Sequence, residues 1–367
     1  MIKYYLDGKV FMNKTIVITD SNSGLTQSAA KEINVVNIPM PFVVNGEEFL
    51  EDISITQDQF YVHLRDKGTN VSTSQPSLFY LEDLWTELLN DYEEIVYIPM
   101  SSGLSGTCAN ALKLAEEKFK DKVYVVDNKR ISVTQRISVI EALNLIKLGK
   151  TGKEIKEYLE KTGKINSIYI YLDTLYYLRK GGRITAAAAA LGTVLKIKPV
   201  LYSDGDSFDK FAMCRSITQA KKKMIDRVKD EVENGKLKEY YEQGKLSISV
   251  AHTQNYDEAV KFAEEVKAAF PNIKFRYIDQ LSLSVACHIG PGALAVALQY
   301  EEYAEYLFPF LLSFQLVLLI LHKYPYITPI FKKDLRKTQI ESCCLTTFAA
   351  CSFKNCRRLK GLDREKD

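Results

Sequence analysis

Clustered charge of one sign is missing from most of this sequence, and with it the basic face a nucleic-acid binder needs. Its 49 Lys and Arg stand against 46 Asp and Glu, for a net charge of +3. The excess is local: from Lys323 onward eleven basic residues face five acidic ones, so everything before that stretch is slightly acidic. Paired C-x-x-C spacings are missing too. Cys108, Cys214 and Cys287 lie far apart in apolar or small-residue surroundings, which predicts buried free thiols. Cys343, Cys344, Cys351 and Cys356 lack the ligand spacing of a structural zinc site, so no metal is expected. Met1 to Met12 is short and polar, with Asp7-Gly8-Lys9 interrupting any apolar stretch; no signal peptide is read there, and the expected location is cytoplasmic. No nucleotide-binding motif is recognisable, so phosphoryl transfer would need ATP held by a partner.

What is present is an ordinary globular composition, 46% hydrophobic and 26% charged, over 367 residues, long enough for two packed domains. Strands and helices alternate through the first half, the pattern of a parallel sheet with helices on both faces. Thr15–Thr19 reads as a buried strand and Asp20–Gly24 as a turn that leads to a helix near Thr26. A strand over Val35–Pro39 and an Asn45-Gly46 turn precede a helix opened by Thr56 with Gln59 and ending near Gly68. Ser77 caps a helix whose Leu78, Leu81, Trp85, Leu88 and Leu89 form one apolar stripe, which places Trp85 in the core. Strands over Glu94–Pro99 and Lys122–Val126 flank a helix over Thr107–Phe119, and Thr151 with Glu154 forms a second capping box. Beyond Gly163 the order changes. Strands are read over Ser167–Leu172, Lys198–Ser203, Leu246–Ala251 and Phe275–Ile278, with Asp204-Gly205 as a hairpin signal. Helices are read over Thr185–Leu195, Ile217–Glu233, Tyr256–Phe270 and Ala293–Leu298.

Four segments could carry chemistry. Ser72-Thr73-Ser74-Gln75-Pro76 holds more hydroxyls than capping the Ser77 helix requires. Ser101-Ser102-Gly103-Leu104-Ser105-Gly106-Thr107 follows a strand and opens a helix, where free N–H groups favour a carboxylate or phosphate. Its spacing is not that of a G-x-S-x-G nucleophile elbow. Arg179-Lys180-Gly181-Gly182-Arg183-Ile184-Thr185 precedes five alanines; the paired glycines allow close approach, and the alanine face suits either a neighbouring helix or an acyl chain. His288 stands before a Gly290-Pro291-Gly292 turn, and a lone histidine is more often structural than functional.

Taken together, Thr19-Asp20-Ser21, Thr73-Ser74-Gln75-Pro76, Ser101 to Thr107, Lys180 to Ile184, Lys196-Ile197-Lys198-Pro199 and His288 to Ala293 resemble the DegV family in order and spacing over roughly residues 13 to 300. The resemblance implies a two-domain α/β protein that binds a long-chain fatty acid and, like better-understood members, presents it to a separate fatty acid kinase that makes an acyl phosphate. It implies Thr73 and a serine of the Ser101-Ser102 pair, Ser102 first, as hydroxyl donors to the carboxylate, with Ser72 and Ser105 as further candidates. His288 would lie near the head group, and Arg183 and Arg215 would shape the surrounding field or the kinase contact, Arg215 on the looser match.

The expected organisation is therefore α/β with two domains: an N-terminal parallel-sheet domain over 13–163 and a C-terminal α/β domain with a mixed sheet over 164–300, the ligand cavity between them. Residues 1–12 are a leader or a misassigned start, Met12 being an alternative first residue. Residues 301–367 form an atypical apolar then basic extension, in which residues 307–331 leave membrane contact open. The bound fatty acid is the sole ligand expected, with no cofactor and no catalytic group of the chain's own. The alternatives are a serine-dependent acyl hydrolase or transferase with Ser102 or Ser105 as nucleophile and His288 as base, and an interaction module whose tail engages a partner.

Overall fold

The computed structural model describes residues 14–66, 68–190 and 197–303, together with two short N-terminal strands, β1 (Lys3–Leu6) and β2 (Lys9–Met12), which pair antiparallel. The expectations for residues 304–367, and for the part of the alanine-rich helix beyond Ala190, lie outside these residues. Among the described residues no helix is long and apolar enough to cross a membrane.

The first half is built on four parallel strands in the order β4 (Val35–Ile38), β3 (Thr15–Asp20), β8 (Glu94–Ile98) and β9 (Val123–Val125). All six residues of β3 are buried, as a central strand covered on both faces requires. Helices α1 (Gln27–Glu32), α3 (Leu78–Leu88), α4 (Thr107–Lys118) and α6 (Gly152–Gly163) accompany this sheet. Most local signals act as read, although Leu78 of the expected apolar stripe is exposed. Thr56 and Gln59 close a capping box on α2 (Gln57–Arg65), Ser77 Oγ accepts the Tyr80 N–H at 3.1 Å, and Trp85 is fully buried, edge-on to Tyr97 and Phe119. The Asn45-Gly46 turn, with both residues at positive φ, joins β5 (Pro41–Val44) to β6 (Glu47–Leu50). β7 (Val71–Thr73) pairs with β5 and completes a small antiparallel sheet that carries Thr73.

One helix of this half escapes the sequence pattern. α5 (Val133–Lys147) buries Thr134, Gln135, Ser138, Glu141 and Asn144 as well as its aliphatic residues, so it has no single apolar stripe to read.

The second half carries a six-stranded mixed sheet in the order β12 (Asp209–Cys214), β11 (Lys198–Ser203), β10 (Asn166–Tyr171), β15 (Leu294–Tyr300), β13 (Leu246–His252) and β14 (Lys274–Gln280). Only β13 and β14 run parallel. Here the expected helix over Ala293–Leu298 is corrected: these residues enter β15, a central strand with all seven residues buried. A short apolar run covered on both faces has no period to separate helix from strand. Gly290 and Gly292, both at positive φ, turn the chain into it.

Alternation along the strands divides the second half into two layers. Tyr169, Val250, Leu294, Val296 and Leu298 pack with α9 (Ile217–Glu233) and α11 (Tyr256–Ala269). Their neighbours Ile168, Ile170, Ala251, Ala295 and Ala297 face the other way, into a cluster with Leu178 of α7 (Tyr176–Gly181) and with Val285 and Ile289 of α12 (Leu283–Ile289). That cluster also takes in Met100, Leu104, Ile131 and Val133 of the first half. The two halves therefore share one core, and the candidate site sits at its margin.

Candidate functional site

A cavity of about 290 Å³ opens between the halves. Met40 and Met100, each just past the end of a parallel strand, line it with Leu104, Ile131, Leu178, Phe208, Val285 and Ile289. The carboxyl ends of parallel strands are where ligands enter open α/β sheets, because the following loops diverge there. Thr73, Ser74, Gln75, Ser105, Arg183, Ser284 and His288 supply the polar part of the wall. An apolar wall with a few convergent polar groups is the general form of a small-molecule site.

The polar part is built around His288. Its Nε2 lies 3.0 Å from Thr73 Oγ1, joining the last residue of β7 to the last turn of α12. Burial, and then the nearby Arg183 charge, lower the imidazole pKa to about 4, so the ring is neutral at physiological pH. Its Nδ1 is buried and has no hydrogen-bond partner among the described residues. With the proton on Nε2, the ring donates to Thr73 and leaves the threonine hydroxyl free to donate onward into the cavity. Gly181 makes room for this ring: a Cβ there would fall 2.0 Å from His288 Nδ1. The close approach read into the paired glycines is thus an approach to the histidine. Arg183 is half-buried, with its Nε donating to the Leu104 carbonyl at 3.3 Å and Nη1 to the Gly181 carbonyl.

The candidates separate into two groups. Thr73, Ser105, Arg183 and His288 come together on the cavity wall; Ser72, Ser101, Ser102 and Arg215 are not among its lining residues. Strand alternation explains Ser72, which is exposed next to half-buried Thr73. Ser101 is buried, and its hydroxyl donates to the Gly205 carbonyl, clasping the serine loop to the β11–β12 turn. Ser102 Oγ donates to Asp127 Oδ2 at 2.7 Å and accepts from Lys129 Nζ, which also stands 3.6 Å from both Asp127 and Asp206. Its hydroxyl is therefore held inside a charged cluster. Ser105 Oγ bonds the Thr107 hydroxyl at 2.9 Å. Arg215 is exposed beyond β12, its backbone N–H capped by Gln219.

A Ser–His nucleophile requires hydrogen-bond reach between the two side chains. The serine hydroxyls named above bond Asp127, Lys129, Gly205 and Thr107, whereas His288 bonds Thr73. Ser284, a lining residue in the first turn of α12, was missed by sequence reasoning, which placed no helix there. Met40 and Met100 had a usable signal in their position after strand ends.

The family model described as "Uncharacterised protein, DegV family" matches residues 14–301. Protein DegV of Bacillus subtilis is 30% identical over 282 residues, which is 76% of this chain and 97% of that protein. Among solved structures, that of DegV from Bacillus subtilis, described as a fatty acid binding protein, superposes with a TM-score of 0.66 at 28% identity, covering 78% of this chain and 99% of the other. A fatty acid binding DegV family protein from Streptococcus agalactiae superposes with a TM-score of 0.69 at 25% identity, covering 79% and 99%.

Proposed function

This chain belongs to the DegV family, and from that premise we propose that it binds one long-chain fatty acid in the cavity between its halves and presents the carboxylate to a separate kinase for acyl-phosphate formation. The observation that carries the reading is the pairing of an apolar wall with the Thr73–His288 couple and Arg183 at one cavity. A carboxylate needs donors and a favourable potential, which the Thr73, Ser105 and Ser284 hydroxyls and the Arg183 charge supply. Each buried methylene adds about 0.8 kcal/mol, so the tail provides most of the affinity and the polar groups fix its orientation. With no nucleotide motif in the chain, ATP is assigned to the partner, and the carrier works in the cytoplasm.

Native mass spectrometry of the purified protein, followed by denaturation and identification of released small molecules, tests the first step. One fatty acid per chain is expected; a protein that stays empty after incubation with oleate and palmitate overturns it. Mixing the loaded protein with a bacterial fatty acid kinase catalytic subunit and ATP tests the second, the expected product being acyl phosphate that depends on this chain.

A further inference from the structure

The Thr19-Asp20-Ser21 motif contributes no residue to the cavity lining, yet four segments of that wall are tied to the turn it begins. Asp20 ends β3, and a 3₁₀ turn over Ser21–Ser23 follows. Asp20 Oδ2 accepts the Met100 N–H at 2.9 Å, while Oδ1 accepts from Gln135 Nε2 and the Asn22 N–H, each at 3.1 Å. Ser21 Oγ accepts the Met40 N–H at 3.1 Å and donates to Glu51 Oε2 at 2.7 Å. The Asn22 carbonyl accepts the Ser132 N–H, next to cavity-lining Ile131, and Asn22 Oδ1 accepts from Ser282 Oγ at 2.9 Å. Glu51 Oε1 accepts the Leu283 N–H at 2.6 Å, gripping the start of the helix whose other end carries His288.

Asp20, Ser21, Asn22 and Glu51 are all buried, and the charged neighbours acting on Glu51 are Asp52 and Asp20, both acids. Burying carboxyl groups in hydrogen bonds without a countercharge is costly for stability alone. Such a network is well suited to fixing a geometry from behind.

We propose that Asp20, Ser21, Asn22 and Glu51 form a buried positioning hub that sets the shape of the binding cavity, holding Met40, Met100, Ile131 and α12 in register without contacting the ligand. The inference rests on the fatty-acid reading for its effect on affinity, and the hub's hydrogen-bond polarity gives it a signature. At Glu51 one partner is a hydroxyl that can turn round, so Glu51→Gln can accept from Leu283 and donate to Ser21. At Asp20 every partner is an N–H donor, so Asp20→Asn places an NH₂ group against one of them.

The test compares wild type, Glu51→Ala, Glu51→Gln and Asp20→Asn, each shown folded by circular dichroism, in calorimetric titration with oleate and in ligand-free NMR of the His288 imidazole. Glu51→Ala and Asp20→Asn should bind oleate at least about tenfold more weakly and shift the His288 resonances, while Glu51→Gln stays close to wild type in both. If Glu51→Ala does not fold, the contrast between Glu51→Gln and Asp20→Asn decides. Unchanged His288 resonances in Asp20→Asn, or a Glu51→Gln variant as impaired as Asp20→Asn, overturns the hub. A wild type that ignores oleate while the resonances shift as expected overturns the carrier reading and leaves the hub standing.

Discussion

At the scale of single residues, the chemistry of His288 is strongly altered by its surroundings. Its folded pKa of about 4 lies below the ordinary imidazole value of 6.5, so the neutral ring contributes stability above pH 6.5 that is lost as pH falls through about 4. NMR titration should therefore give a midpoint near 4 in the free protein, moving upward when oleate brings a carboxylate close. A midpoint at 6.5 in the free protein would contradict the buried, Arg183-facing ring. Gly181→Ala should drive a methyl into His288 Nδ1, weaken oleate binding and destabilise the fold by about 1–3 kcal/mol in urea denaturation. The segments holding Thr73, Ser105, Arg183 and His288 stand out in the sequence as a hydroxyl cluster and as glycine-rich turns, but a head-group role for Thr73, Arg183 and His288 came only from the resemblance to the DegV family. Which hydroxyl faces the cavity was not, since Ser102 and Ser105 differ only in the Asp127–Lys129 cluster that the fold brings to the first of them.

At the scale of elements, the capping boxes and the burial of Leu81 and Trp85 were readable because their information lies within a few residues. β15 and α5 were not, because what covers them comes from distant parts of the chain. α5 owes part of its polar burial to Glu141, which stands 3.5 Å from Arg130 and also accepts from Tyr158 and the Glu302 N–H. Arg130 is fully buried and donates to the carbonyls of Thr162, Gly163 and Tyr300, tying the end of α6 to the end of β15. Arg130→Met should leave Glu141 buried without its countercharge and cost about 3–5 kcal/mol, read as a lower urea midpoint. A loss below 1 kcal/mol would mean that Glu141 takes up a proton at little cost.

At the scale of the molecule, the parallel and mixed sheets were foreseeable from the order of elements, but the shared core was not. It depends on which face of each strand meets the other half, and Ala251, Ala295 and Ala297 are too small to announce themselves as contacts across it. A fragment of residues 164–303 should accordingly expose that face, binding more of the dye ANS than the intact chain and unfolding with low cooperativity. A fragment with a sharp, dye-free transition would show that the halves fold alone.

The position of β15 also bears on how the protein is made. β15 comes last in the second half, yet lies between β10 and β13 and pairs with both. Until residue 300 leaves the ribosome, those two strands each present an open edge that can template pairing with another nascent chain. Chaperone occupancy on translating ribosomes should therefore rise once β13 has emerged and fall after β15 is inserted, making that interval the one in which aggregation competes with folding.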